Sequence, residues 1–116
     1  MLYVLVLEDD PIIAMDIKEI IDDMGGFCGV IASDFQSALH AASKHNIGIV
    51  VSDIQIKGQT DGIETTKRLV DMYGMRIIFL TSYSDEQTLH RASVVSFDGY
   101  LLKPFREEEL VASLRL

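Results

Sequence analysis

The sequence is short of three things: cysteine, basic charge and long apolar runs. Its single cysteine, Cys28, excludes an internal disulfide, so the fold must be held by a core rather than by cross-links. Cys28 stands in an apolar, strand-like run, where a free cysteine reads as a small buried hydrophobe rather than a reactive thiol. Lys and Arg number 10 against 18 Asp and Glu, giving a formal charge of -8 that opposes binding to nucleic-acid backbones or anionic lipid. No apolar run approaches the roughly 20 residues that cross a bilayer. The start, Met-Leu-Tyr-Val-Leu-Val-Leu, has neither a basic lead nor a cleavage site. A cytoplasmic chain that touches neither nucleic acid nor membrane directly is expected. Two prolines, and no Ser-rich, Gly-rich or repeated segment, give no sign of a linker. The 116 residues read as one domain, 1–116, able to bury roughly two-thirds of its unfolded surface.

What the sequence does contain is an alternation. Residues 2–7, Ile47 to Val51 and Ile77 to Leu80 are short unbroken apolar runs, which predict strands buried on both faces. Between them lie helical spacings: Ile13, Ile17, Ile20, Ile21 and Met24; then Phe35, Ala38, Leu39 and Ala42; then Ile63, Thr66, Leu69, Val70 and Tyr73. Pro11 suits a first helical turn, Gly25-Gly26 stops that helix, and Asp34 can cap the next. A weaker pattern around 85–95, with Leu89 and Ala92 inward, predicts a fourth helix. Strand-like Tyr100 to Leu102 and a last helix from near Phe105, with Leu110, Val111 and Leu114 inward, complete five strand–helix pairs. This order predicts an α/β fold, a doubly wound five-stranded parallel sheet with helices on both faces.

Ligands of such a sheet bind beyond the carboxyl ends of its strands. Polar residues stand there: Glu8, Asp9 and Asp10 after the first strand, Asp53 at the end of the third, Thr81 and Ser82 after the fourth, Lys103 after the fifth. Three carboxylates gathered in one pocket repel one another and raise each other's pKa. A hard divalent ion such as Mg2+, which takes oxygen ligands, would compensate, and Lys103 adds a compact positive charge. Thr81 can donate its hydroxyl to the same place. Asp10 either approaches the metal through water or caps the first helix, and capping is the reading preferred. His40 and His45 are five apart and His90 lies in another helix, so the histidines have no metal-ligand spacing. Glu107, Glu108 and Glu109 suit the first turn of the last helix.

The segments Val-Leu-Glu-Asp-Asp-Pro at 6–11, Ser-Asp-Ile at 52–54, Asp-Gly-Ile-Glu at 61–64, Leu-Thr-Ser at 80–82 and Gly-Tyr-Leu-Leu-Lys-Pro-Phe at 99–105 together resemble the two-component response-regulator receiver family from end to end. The resemblance implies a flavodoxin-like fold with strand order 2-1-3-4-5. It implies Asp53 as phosphoacceptor, with Mg2+ held by Glu8, Asp9, Asp53 and the backbone carbonyl of Gln55. Thr81 and Lys103 would bind the phosphoryl group, Tyr100 would be the switch aromatic, and Lys103-Pro104 would be a cis peptide bond. Gln55 and Tyr83 would tune the dephosphorylation rate. The output surface would be the fourth predicted helix, the fifth strand and the last helix, roughly residues 85–116.

The implied partners are a sensor histidine kinase or phosphotransfer protein and a downstream output domain or target, and a phosphorylation-dependent homodimer is compatible with these. Such a chain catalyses its own phosphorylation and dephosphorylation and is not an enzyme with external turnover. Between Asp53 and Gly62 it is one residue longer than the commonest family spacing, an excess that a turn at Gly58-Gln59-Thr60 can absorb. Lys57, near where the family usually has proline, reads as a solvated loop residue. Two other readings compete. A degenerate, non-phosphorylated receiver acting as a protein-binding module is opposed by the intact set Glu8, Asp9, Asp53, Thr81 and Lys103. A phosphatase of similar architecture would carry its nucleophile after the first strand with a second Asp two residues on, a pattern Glu8-Asp9-Asp10 lacks.

Overall fold

In the computed structural model, residues 1–54, 62–81 and 98–116 are described. The elements run β1 (Leu2–Leu7), α1 (Pro11–Asp23), β2 (Phe27–Ala32), α2 (Phe35–Lys44), β3 (Ile47–Asp53), α3 (Gly62–Tyr73), β4 (Arg76–Thr81), β5 (Gly99–Leu102) and α4 (Glu107–Arg115). The strands form one sheet in the order β2-β1-β3-β4-β5, with every neighbouring pair parallel. The fold class and strand order are those expected. The helix expected around 85–95, Ser82, and the loop with Lys57 lie outside the described residues.

Alternation along the central strands divides the core in two. Leu5, Leu7, Val50, Ile77 and Phe79 face α2 and α3, meeting Ala38, Ala41, Ile63 and Leu69. Val4, Val6, Ile49, Val51, Ile78 and Leu80 face α1 and α4, meeting Ala14, Ile17, Ile21, Leu110 and Leu114. Several inward assignments shift by a residue. In α1 Ala14 is buried with Ile17 and Ile21 while Ile13 and Ile20 stay half-exposed, and in α3 Thr65 is buried whereas Tyr73 is exposed. The buried stripe of α1 runs through Ala14, Ile17 and Ile21, turned from the one that the apolar spacing marks. The last helix starts at Glu107, two residues after Phe105, and Val111 is only half-buried.

The helix ends follow their local chemistry. Asp10 caps α1, its carboxylate accepting from the backbone N–H of Ile12 at 2.9 Å and of Ile13 at 3.4 Å. Gly25 and Gly26, with φ of 75° and 79°, reverse the chain after α1 in a conformation that favours glycine. Asp34 caps α2 by accepting from the Ser37 N–H at 2.8 Å.

β2 is an outer strand, and this corrects the reading of Cys28. The residue is only half-buried, because an outer strand lacks a neighbour on one side. At the middle of β2, α1 comes so close that a Cβ on Gly29 would stand 3.1 Å from the Lys18 Cγ. Lys18 donates to the Gly29 carbonyl at 2.8 Å, Asp22 accepts from the Gly29 N–H at 2.8 Å, and the two side chains pair with each other at 2.8 Å. These bonds hold the Asp22 carboxyl below its usual range, the Gly29 N–H contributing most.

Candidate functional site

Strand order reverses between β1 and β3, and their carboxyl ends open the crevice that such a sheet offers a ligand. Glu8 extends β1, its N–H donating to the Ala32 carbonyl at 3.0 Å. Asp53 ends β3, and the next residue continues the ladder through Ile54 N–H to the Leu80 carbonyl at 3.0 Å. Thr81 ends β4, and its carbonyl accepts from the Lys103 N–H at 2.8 Å, so Lys103 is placed by the β4–β5 ladder itself. Backbone hydrogen bonds therefore bring the four strand ends together.

The side chains then converge. Glu8, Asp9 and Asp53 each offer a carboxylate oxygen, and these oxygens lie within 4.8 Å of one another. Glu8 is 2 % exposed and Asp53 4 %, so the repulsion is not relieved by water. Lys103 Nζ donates to Asp53 Oδ2 at 2.7 Å and to Glu8 Oε1 at 3.3 Å. The other Glu8 oxygen accepts from the Asp10 N–H at 3.3 Å.

Burial pushes the Glu8 carboxyl up to about 7, aided by a hydrogen bond shared with Asp53 and by the Asp53 charge, against the pull of Lys103 and the Asp10 N–H. Below that pH, Glu8 holds a proton directed at Asp53. Burial works to lower the Lys103 pKa, but its bonds to Asp53 and Glu8, and their charges, outweigh this and raise it. The donor set itself fits a hard divalent cation: three carboxylates, oxygen only, close enough to share one ion.

Thr81 is fully buried at the end of β4, the strand beside the one that Asp53 ends. Phe79 pairs in register with Tyr100, and Thr81 with Leu102. Thr81 therefore shares its sheet face with Phe79 and with Tyr100, one step along the neighbouring strand. Tyr100 is half-buried against the α2–α3 side of the core. The Lys103-Pro104 peptide bond is cis. Gln55 and Tyr83 lie outside the described residues.

One feature of the site was not anticipated. Beneath Asp53, Thr66 of α3 donates its hydroxyl to Ser52 Oγ at 3.0 Å, both residues fully buried, which ties α3 to the strand that carries Asp53. The helical spacing places Thr66 inward, but nothing in the sequence reveals its partner 14 residues away.

Comparison with known proteins agrees with this architecture. The chain is 29 % identical over 113 residues to the transcriptional regulatory protein PdtaR of Mycobacterium tuberculosis, covering 97 % of this chain and 55 % of that protein. It is 31 % identical over 116 residues to MalR of Bacillus subtilis, also a transcriptional regulatory protein, covering 98 % and 49 %. It thus spans about half the length of these curated relatives. The chemotaxis protein CheY4 of Vibrio cholerae superimposes with a TM-score of 0.89 at 26 % identity, over 99 % of this chain and 97 % of that one. Among the described residues no helix is long and apolar enough to cross a membrane. A family model described as the response regulator receiver domain matches residues 4–115, and the chain belongs to that family.

Proposed function

We propose that residues 1–116 form one receiver domain that acts as a phosphoacceptor switch, taking a phosphoryl group from a phosphohistidine donor onto Asp53. The observation that carries this is the placement of Lys103 Nζ, 2.7 Å from Asp53 and 3.3 Å from Glu8, inside a cluster of three carboxylates. The Asp53 carboxylate attacks phosphorus, the O–P bond forms, the histidine N–P bond breaks, and the imidazole leaves. Phosphoryl transfer asks the protein mainly to position groups and to neutralise oxygens. Lys103 turns from the carboxylate to a phosphoryl oxygen, and Thr81 donates its hydroxyl to another. Glu8, Asp9, Asp53 and the Gln55 carbonyl would hold Mg2+, which supplies positive charge against the carboxylates and the incoming phosphoryl group.

The signal then leaves through Thr81 and Tyr100, whose shared sheet face supports their coupling. The hydroxyl moves toward the phosphoryl group, and the ring follows into the space behind it, altering the surface of residues 85–116. Gln55 and Tyr83 set the lifetime of the acyl phosphate, Tyr83 by hindering the attacking water. The chain turns over no external substrate. It works in the cytoplasm with a histidine kinase or phosphotransfer protein upstream. Its relatives' names support a downstream partner or output domain acting on transcription.

The test is incubation with a small phosphodonor and Mg2+, followed by intact-mass measurement. One phosphoryl adduct is expected on the wild type and none on Asp53→Asn. A wild type that binds Mg2+ but takes no adduct would make this a protein-binding receiver without phosphorylation. Thr81→Ala should still accept the group while losing the phosphorylation-dependent NMR shifts around Tyr100. Equal shifts in both proteins would remove Thr81 from the coupling.

A further inference from the structure

Thr65 and Thr66 put two hydroxyls side by side in the buried flank of α3, and only one of them is used. Thr65 Oγ1 has no partner among the described residues, while Thr66 donates to Ser52 Oγ at 3.0 Å. Ser52 in turn donates to the Asp53 carbonyl at 3.5 Å, a long bond inside the core. The chain of hydroxyls thus runs from a helix to the main chain of the residue bonded to Lys103. Ser52 stands in register between Leu7 and Phe79, two fully buried apolar residues, a setting that asks for no hydroxyl. An apolar pair of the same shape would be about as stable, because a buried bond between neutral groups gains little net. What the bond adds over an apolar contact is direction, since it holds an angle as well as a distance.

We propose that Thr66, acting through Ser52, is a positioning residue for phosphorylation, holding the main chain of Asp53 while its carboxylate reacts. The inference rests on Asp53 being the acceptor. In that reaction a carboxylate oxygen forms the O–P bond as the donor's P–N bond breaks, and Lys103 leaves the carboxylate for a phosphoryl oxygen. The 2.7 Å bond that held the side chain is then lost. From that moment the carboxylate is placed by its backbone. The ladder holds that backbone just beyond Asp53, through Ile54 N–H to the Leu80 carbonyl at 3.0 Å, and the threonine–serine chain holds it from α3. In-line attack tolerates little displacement, since an error of about 1 Å can cost about a hundredfold. A tether of one neutral hydrogen bond should contribute up to about tenfold in rate.

The test is loading with phosphoramidate, whose P–N bond breaks with ammonia as the leaving group, in the presence of Mg2+. Adduct is followed by intact mass well below the melting temperature of each variant. Thr66→Val and Ser52→Ala should each load about three- to tenfold more slowly than the wild type. The double variant should be no slower than either single one, because both changes remove the same chain. Thr66→Ser, which keeps the hydroxyl, should restore most of the rate. Thr65→Val, an equal change one residue away, should load as the wild type does. The Ile54 amide gives a readout independent of phosphorylation: its hydrogen exchange should quicken in Thr66→Val and Ser52→Ala and not in Thr65→Val. Should Thr66→Val fail to fold, Ser52→Ala against Thr65→Val carries the same comparison.

A Thr66→Val protein that loads at the wild-type rate, effects that multiply in the double variant, or a Thr66→Ser protein as slow as the valine variant would overturn the proposal. So would an Ile54 amide that exchanges alike in all of them. A wild type that takes no adduct refutes the acceptor role of Asp53, whereas a wild type that loads normally beside an unaffected Thr66→Val refutes only the tether.

Discussion

Replacing Glu8 with Gln should make the metal-free protein more stable at pH 8 than the wild type. Glu8 is nearly inaccessible, and its carboxyl titrates at about 7 in the fold against 4.5 for the ordinary group. Between those values the folded state keeps a proton that the unfolded chain has released, so stability falls as pH rises from about 4.5 to above 7. The loss is about 3 kcal/mol, from a titration near 7 rather than 4.5 at 1.36 kcal/mol per pH unit. A glutamine copies the protonated form: its amide can donate toward Asp53 as the acid does, and its oxygen can accept from Lys103. Glu8→Gln should therefore match the wild type near pH 4.5 and exceed it by up to about 3 kcal/mol at pH 8. In a domain of this size that is about 10 °C in melting temperature. Thermal melts in a chelator across this pH range measure it. Mg2+ at pH 8 should then raise the wild type more than the variant, because the carboxylate gains a partner that the amide cannot match. A wild-type profile that is flat from pH 5 to 8, or a variant no more stable at pH 8, would refute the shared-proton picture.

Lys103→Met should lower stability at neutral pH by about 2 kcal/mol, because it leaves two buried carboxylates without their cation. It should also slow phosphorylation by a small donor about a hundredfold, read by intact mass over time. The adjacent threonines of α3 should respond in opposite directions. Thr66→Val loses the bond to Ser52 and should cost about 1–2 kcal/mol in chemical denaturation, while Thr65→Val removes a buried hydroxyl that has no partner among the described residues and should be neutral or stabilising. Asp34→Ala should cost about 1 kcal/mol through loss of the α2 cap. That loss should fade as pH falls through the lowered Asp34 pKa, set first by the Ser37 N–H, since a protonated carboxyl caps weakly.

The sheet was legible because its central strands are buried on both faces, which leaves unbroken apolar runs such as 47–51, too short for a helix of ordinary length. The site was legible because parallel strands deliver their ends to one edge, so Asp53 and Lys103, 50 residues apart, could be placed together without knowing any distance. Asp10 read correctly as a cap, since capping is decided within three residues. What escaped depended on how elements approach one another. Ala14 outranks Ile13 in burial because of the face that α1 turns to the sheet, and Cys28 is half-exposed on a strand that ends the sheet. The bond from Thr66 to Ser52 and the burial that raises the Glu8 pKa arise from tertiary packing, invisible to any period of two or 3.6.

The contact of α1 with Gly29 has a consequence for the life of the chain outside its signalling. In β2 the carbonyls of the even-numbered residues point inward, as the bond from Glu8 to Ala32 shows, so the polar groups of Gly29 face outward from the sheet. An outer strand with open donors and acceptors is a template onto which another chain can add a strand and begin an aggregate. Here the middle rung of that template is already taken by Lys18 and Asp22. An incoming strand could not pair across Gly29 without displacing an ion pair and both of its bonds, so these two side chains of α1 interrupt the template at its middle.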